Sequence, residues 1–421
     1  MQKGMIWVGL VVIVSGLGAM TLFGGESGRE TKPKEVVKAE AEWAPAVKPK
    51  PLSDHVQRGL QWLVEHQLPD GAWGQGEESS HMGGGAQMKD KPSVADTCAA
   101  TLALIRAGST PSEGPHAKAV LKAVKFVCSE IEGYDQDDLY ITATRSTRLQ
   151  SKLGPYIDTF MAALLLPEVE KTMPNKKGRK RVKRALENVL AKMAKHQRAD
   201  GTWDDRGWAA TLSQGVAVKG LNRAAQMGQP VSGEVRARAE KNARMSFDRA
   251  SGKFAPKGSA GVELYSAGSQ LGAMADSVNT NQVEEAEVRE QLKKAVSEPQ
   301  RQQAEAKLKR FDEAKQDLAA AQAAVVKRLG DKQFVAGFGS NGGEEFLSYM
   351  NLGESLVVKG GEAWKEWDKS MTENLNRIQN QDGSWTGHHC VTGRTFCTSA
   401  ALLVLMVDRT PVPLAAKMKK R

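Results

Sequence analysis

An all-α fold, an α6/α6 toroid made of six helical hairpins in two concentric layers, is predicted by three observations. The frame Q-x-x-D-G-x-W occurs three times, as Gln67, Asp70, Gly71, Trp73, then Gln197, Asp200, Gly201, Trp203, then Gln379, Asp382, Gly383, Trp385. The copies start at 67, 197 and 379 and are separated by 130 and 182 residues, close to two and three multiples of roughly 60 to 65, so they fall in the first, third and sixth of six units. Each copy follows an amphipathic helical stretch and precedes one rich in Ala, Leu and small residues, which must be buried on more of its circumference and so forms an inner layer. A linear solenoid would need polar capping repeats at its ends, and neither end carries one.

Taken in order, the chain begins with Lys3 and an uncharged run from Gly4 to Gly25, long enough for a membrane-spanning helix, which needs about 20 apolar residues. Residues 1–25 are read as a transmembrane anchor or signal segment, with the uncleaved anchor preferred. Lys3 would stay cytoplasmic and the soluble part would lie on the extracytoplasmic, periplasmic side. Residues 26–52, rich in Lys, Glu, Pro and Ala, read as a disordered linker. The toroid is expected over 53–408 and a basic tail over 409–421.

Within 53–408 the six pairs are read as 56–64 with VADTCAATLALIRAG, 119–127 with DTFMAALLLPEV, RVKRALENVLAKMAKH with TLSQGVAVKGLNRA, 233–247 with ELYSAGSQLGAMADS, a long charged helix with EEFLSYMNLGESLVVKGG, and AWKEWDKSMTENLNRIQ with FCTSAALLVLMV. The fifth opening helix, about 283–330, exceeds its unit's needs. It predicts a helical-hairpin insertion broken near Pro299, either protruding as an arm toward a protein partner or folded back on the toroid.

The turn frame has a structural reading. Asp-Gly permits a tight turn, Gln and Asp satisfy backbone groups left exposed there, and Trp lays a large apolar face against neighbouring helices. The formal charge of +10 comes mainly from Lys176 to Lys183, the 48–50 stretch and the final KMKKR. No recognition motif accompanies these runs, so nucleic acid is not an expected partner.

The Q-x-x-D-G-x-W turns followed by small-apolar helices resemble the α/α toroid superfamily of squalene cyclases, protein prenyltransferases and complement thioester domains. GGEEFLSY together with QNQDGSWTGHHCVTGRTFCTSAALLVL resembles, more narrowly, bacterial prenyltransferase/squalene oxidase repeat proteins. The resemblance implies the fold and leaves function open, because this architecture hosts cyclisation, lipid transfer and pure binding. Asp135, Asp137 and Asp138 spell the D-x-D-D of a cyclase acid but fall in an inter-helix loop, where an acidic surface loop is the simpler reading.

The prenyltransferase likeness implies a zinc site with an Asp-x-Cys pair, matched here by Asp96 and Cys98. His388, His389 and Cys390 precede the sixth inner helix, and Cys397 aligns with Cys98 at an inner-helix start. In a closed ring the sixth unit touches the first. A metal site drawn from Asp96, Cys98, His388, His389, Cys390 and Cys397 is therefore one expectation, with zinc or no cofactor left open. Disulfides between Cys390 and Cys397, or between Cys98 and Cys397, and free thiols are the alternatives, and Cys128 reads as a buried hydrophobe.

His81 lies in a glycine-rich insertion, read either as a lid over a site or, more simply, as a mobile loop histidine. Glu344, Glu345, Glu354 and Arg394 are expected at the mouth or interior, either for acid/base work or as caps of helix starts. The function expected is binding of a protein partner or apolar ligand without turnover. The alternative is a zinc-dependent transferase or hydrolase at the seam between the first and last units.

Overall fold

The computed structural model describes residues 37–79, 88–339 and 341–420, so the expected anchor over 1–25, the first part of the linker and His81 lie outside the described residues. Among the described residues no helix is long and apolar enough to cross a membrane. In chain order, strand β1 (Val37–Pro45) precedes α1 (Asp54–Glu65), α2 (Val94–Arg106), α3 (Ala117–Gly133), α4 (Arg148–Lys152), α5 (Ile157–Val169), α6 (Lys176–Lys195), α7 (Ala210–Gln226) and α8 (Gly233–Met245). The two-residue strands β2 (Phe247–Asp248) and β3 (Lys253–Phe254) follow, then α9 (Glu263–Lys293), α10 (Glu298–Val326), α11 (Lys332–Ala336), α12 (Gly343–Lys359), α13 (Gly361–Ile378), α14 (Arg394–Leu405) and strand β4 (Pro411–Lys420).

Six helices form an inner ring in the order α2, α5, α7, α9, α12, α14, each packed on the next, and α14 packs back on α2. Six others, α1, α3, α6, α8, α10 and α13, lie outside them. The two layers differ as the composition requires. Helix α2 is buried at every position from Val94 to Leu104, whereas α1 buries just Val56, Gly59, Leu60, Trp62 and Leu63. Small residues in the inner layer let backbones meet: a Cβ on Gly268 of α9 would sit 2.9 Å from Ser348 Cα of α12.

The three Q-x-x-D-G-x-W turns share one hydrogen-bond pattern. Gln67 Nε2 donates to Gly71 O within the turn (2.9 Å) and to Ala119 O at the start of α3 (2.9 Å). Gln197 does the same to Gly201 O (3.1 Å) and Val235 O of α8 (3.0 Å). Gln379 reaches Gly383 O (2.8 Å) and His55 O of α1 (2.8 Å), so the last staple joins the sixth unit to the first.

Asp70, Asp200 and Asp382 each accept the backbone N–H two residues on at 3.0 Å. Trp73, Trp203 and Trp385 are fully buried, and each indole N–H donates ten residues back, to Leu63 O (2.7 Å), Met193 O (2.8 Å) and Leu375 O (2.8 Å). The central glycine is required. Gly201 sits at φ +88°, and a Cβ there would lie 2.2 Å from Arg238 O.

Because Gln197 supplies two hydrogen bonds, one within the turn and one to α8, Gln197→Ala is expected to destabilise the protein by about 1–2 kcal/mol, read by chemical denaturation. A change within error would mean that the turn is held by its backbone alone.

The fifth unit departs from the sequence reading. Residues 283–293 are not part of a fifth outer helix but an overrun of the inner helix α9, which meets no Gly or Pro between Ser277 and Lys293. The chain reverses at 294–297, and Pro299 lies in the first turn of α10, where its missing N–H costs nothing, rather than breaking a helix. Helix α10 then runs back along α9. Near the reversal the pair has its own small core of Val288, Ala304 and Phe311. Closer to the ring, α10 takes the fifth outer place, with Gln322 Nε2 donating to Ser355 O of α12 at 3.0 Å.

Both flanks read from sequence as solvated carry a strand. β1 pairs antiparallel with β4, and both strands pack on α9. Lys50 N–H donates to Asp408 Oδ2 at 2.6 Å, and Lys50 Nζ to Asp368 at 2.6 Å, which ties the entry segment to the exit of the last inner helix.

Candidate functional site

The inner helices surround a narrow, closely packed bore whose open cavity is about 30 Å³. Its wall is apolar, with Leu102, Met161, Leu164, Val216, Leu347, Met350, Phe396 and Leu403 contributed by α2, α5, α7, α12 and α14. At the end where the inner helices finish, the wall becomes charged. Arg106 of α2 donates through both Nη atoms to Glu168 of α5 at 2.5 and 2.8 Å, and Arg223 Nε of α7 lies 3.2 Å from the same carboxylate. Lys219 Nζ lies 2.8 Å from Asp276 of α9 and 2.5 Å from Glu354 of α12.

Three cations thus meet three carboxylates in a floor that carries no net charge. Arg223 also donates to Pro411 O at 3.0 Å and stacks 5.1 Å above the Trp43 ring, so the β1–β4 ribbon lies over this end. Burial would raise the Glu168 carboxyl, but the Arg106 and Arg223 guanidiniums outweigh it and hold it at about 2. Lys219 is opposed by burial yet raised by Asp276 and Glu354.

At the opposite end, where the inner helices begin, a second cluster forms. Glu344 and Glu345 occupy the first turn of α12, where the helix dipole favours carboxylates, and both are fully buried. One oxygen of each is pinned: Glu345 Oε1 accepts from Tyr265 Oη (2.5 Å) and Phe338 N–H (2.9 Å), and Glu344 Oε2 accepts from Val391 N–H (3.1 Å). The remaining oxygens, Glu344 Oε1 and Glu345 Oε2, have no hydrogen-bond partner.

His389 Nε2 lies 3.1 Å from Glu345 Oε2, close enough for an ion pair but without hydrogen-bond geometry. Burial raises Glu344 to about 7. Burial opposes a charge on His389, but its contacts with Cys390, Glu345 and Glu344 outweigh this and raise it to about 10. Phe338 packs edge-on against His389 with ring centres 5.0 Å apart, and Trp208 packs on Phe338 at 6.0 Å. These two rings are the exposed aromatics of the rim, 42% and 55% exposed for Trp208 and Phe338.

The six residues expected as metal ligands do not form one group. Asp96 accepts from Ser93 Oγ at 2.6 Å and is raised to about 7 by burial, a helix-start carboxyl beside Asp158. Cys98 and Cys397 are fully buried, and burial pushes both thiols up. Cys397 Sγ instead donates to Val391 O at 3.4 Å.

Cys128 is buried as read from sequence, pushed up to about 12, and all four cysteines are free thiols, so neither disulfide pairing is formed. Cys390 is buried at φ +50°. His388 is exposed, its N–H donating to Asn341 O. His389 alone of the six joins a potential ligand group among the described residues, and its companions are Glu344 and Glu345.

Of the other candidates, Asp135 and Asp137 are exposed, with Asp137 paired to Lys195, which fits an acidic surface loop. Arg394 sits at the rim, paired with Asp382 and Glu77, while Glu354 belongs to the floor. Sequence reasoning missed Arg106, Glu168, Lys219, Arg223 and Asp276. Their signal was present as single charges near the ends of otherwise small-apolar helices, in LALIRAG, LLLPEV, GVAVKGLNRA and GAMADS. Tyr265, which orients Glu345, carried no such signal.

No family model matches the sequence, and no curated protein matches it. Among solved structures the chain is similar to the apo form of the type II terpene cyclase MstE from Scytonema, at 13% identity and a TM-score of 0.45, over 84% of this chain and 97% of that one.

Proposed function

We propose that this toroid is a binding module that holds an apolar chain in its bore without turning it over. The observation that carries this reading is the bore itself: an apolar wall drawn from five inner helices above a floor whose six charges already satisfy one another. The floor's charges pair with one another, although Arg106 Nε, Arg223 Nε and Asp276 Oδ2 lack a hydrogen bond, so apolar contact with the wall is the main driving force. Met161 and Met350, unbranched and adaptable, let the narrow space widen around an alkyl or prenyl chain. The exposed Trp208 and Phe338 supply an apolar threshold at the mouth. Under this reading the uncharged run 4–25 would tether the toroid to the membrane from which such a chain is drawn.

Ala400 of α14 lines the bore, so Ala400→Phe fills it. Wild-type protein is expected to bind dodecanoate or farnesol at one site by native mass spectrometry and calorimetry. Ala400→Phe should lose at least tenfold in affinity while keeping its helical circular dichroism. Equal binding by a folded Ala400→Phe protein would remove the bore as the site.

A further inference from the structure

We propose a divalent transition-metal site at the mouth, formed by Glu344, Glu345 and His389, that is independent of apolar binding in the bore. Ligand atoms from these three side chains lie within 4.8 Å of one another. Adjacent glutamates at a helix start would not by themselves make a site, since the helix dipole accounts for them. The unpartnered oxygens do more. Glu344 and Glu345 are fully buried, yet Glu344 Oε1 and Glu345 Oε2 lack any hydrogen bond, an arrangement that buried carboxylates avoid unless something else completes them.

The opposite oxygens are fixed by Tyr265, Phe338 and Val391, which is how outer contacts orient carboxylate ligands. The loop between α11 and α12 is shaped around the same point. Added Cβ atoms at Gly337 and Gly342 would lie 2.6 and 2.8 Å from Glu345 oxygens, and one at Gly339 would lie 3.0 Å from the His389 ring. Glycine at these positions lets backbone close over the cluster without displacing it.

The donor set selects the ion. Two carboxylates and an imidazole suit zinc or manganese better than magnesium, which prefers oxygen ligands and bound water. The 3.1 Å between His389 Nε2 and Glu345 Oε2 is slightly shorter than the edge of about 3.4 Å expected for two ligands on one tetrahedral zinc, so this pair would part a little while the remaining ligand atom, within 4.8 Å, closes in. Two carboxylates balance the charge of the ion, and neutral His389 then serves as a ligand instead of an ion-pair partner. Three protein ligands would leave a fourth position for water or a further ligand.

The test is calorimetry and bound-metal analysis of the full-length chain, titrated with ZnCl2 and, in parallel, with MgCl2. One zinc per chain and at least tenfold weaker magnesium binding are expected. Glu344→Gln, isosteric and uncharged, and His389→Ala, on a partly exposed side chain, should each weaken zinc at least tenfold, while His388→Ala and Cys98→Ala should not. Zinc binding unchanged in Glu344→Gln and His389→Ala, or lost equally in His388→Ala or Cys98→Ala, would overturn the site. Circular dichroism and the melting temperature of each metal-free variant show whether a loss of binding is a loss of fold. If both cluster variants unfold, Glu345→Gln at the same position in the turn decides by the same readout. Dodecanoate binding measured on the same samples separates failure of this site from failure of the bore.

Discussion

Replacing Glu168 with alanine is expected to destabilise the protein by about 3–5 kcal/mol, the cost of breaking a buried ion pair by removing one partner. Two guanidiniums depend on this carboxylate, Arg106 through two hydrogen bonds and Arg223 at 3.2 Å. Both arginines are buried, so neither can recover water when Glu168 is gone. The loss should be partly recovered in Arg106→Met/Glu168→Ala, because the double variant leaves one stranded cation fewer. Urea denaturation of the four proteins of that cycle checks the claim. A loss below about 1 kcal/mol for Glu168→Ala, or simple additivity of the two changes, would show that water reaches the floor of the bore.

The same carboxylate gives a pH dependence whose sign follows from its shift. Glu168 is held at about 2 in the folded protein, against an ordinary value of 4.5, so its contribution is fully present above the unfolded value and is lost as pH falls through about 2. The shift corresponds to roughly 3 kcal/mol between those limits. Glu354, opposed by burial and lowered by Lys219, acts in the same direction. Asp276 is raised by burial and acts against them.

The ring was legible in the sequence because its cause is local and repeated. Each Gln-Asp-Gly-Trp frame contains the whole of its turn, and the Gln side chain reaches only one outer helix further on, so three copies at multiples of one period reveal both the hairpin and its repetition. The inner layer was legible for a related reason: helices such as VADTCAATLALIR are small and apolar around their full circumference, which leaves no face for water.

The fifth unit was misread where local signals stop. Residues 283–293 have the same charged composition as α10, and the boundary between inner and outer helix falls where the chain reverses, with no glycine turn to mark it. The candidate site was legible in part. His389 was among the expected ligands and Glu344 and Glu345 were expected at the mouth, but their grouping depends on how α12 and the loop before α14 dock, which no spacing encodes. The seam between the sixth and first units does bring two of the expected ligands into packed helices without joining them to the others. Cys98 and Cys397 begin inner helices that pack together, yet both are fully buried and neither joins a ligand group with His388, His389 or Cys390 among the described residues.

Trp385→Ala should cost about 3–5 kcal/mol, the range for truncating a fully buried large aromatic, with the Leu375 carbonyl losing its partner as well. Trp203→Ala, at the equivalent place in the third unit, should cost a similar amount, since its indole makes the same bond to Met193 O. The two differ in what they loosen. A Cβ on Gly59 of α1 would lie 2.7 Å from Trp385 Cζ3, so this ring rests on the first unit, beside the Gln379 bond to His55 O. Trp203 packs on Phe160 of the second unit, with ring centres 5.6 Å apart. Hydrogen exchange under native conditions should therefore show α1, residues 54–65, opening faster in Trp385→Ala and no faster in Trp203→Ala. If α1 exchanges alike in both variants, closure does not depend on the Trp385 ring and rests on the α2–α14 contact and the Gln379 bond to His55 O.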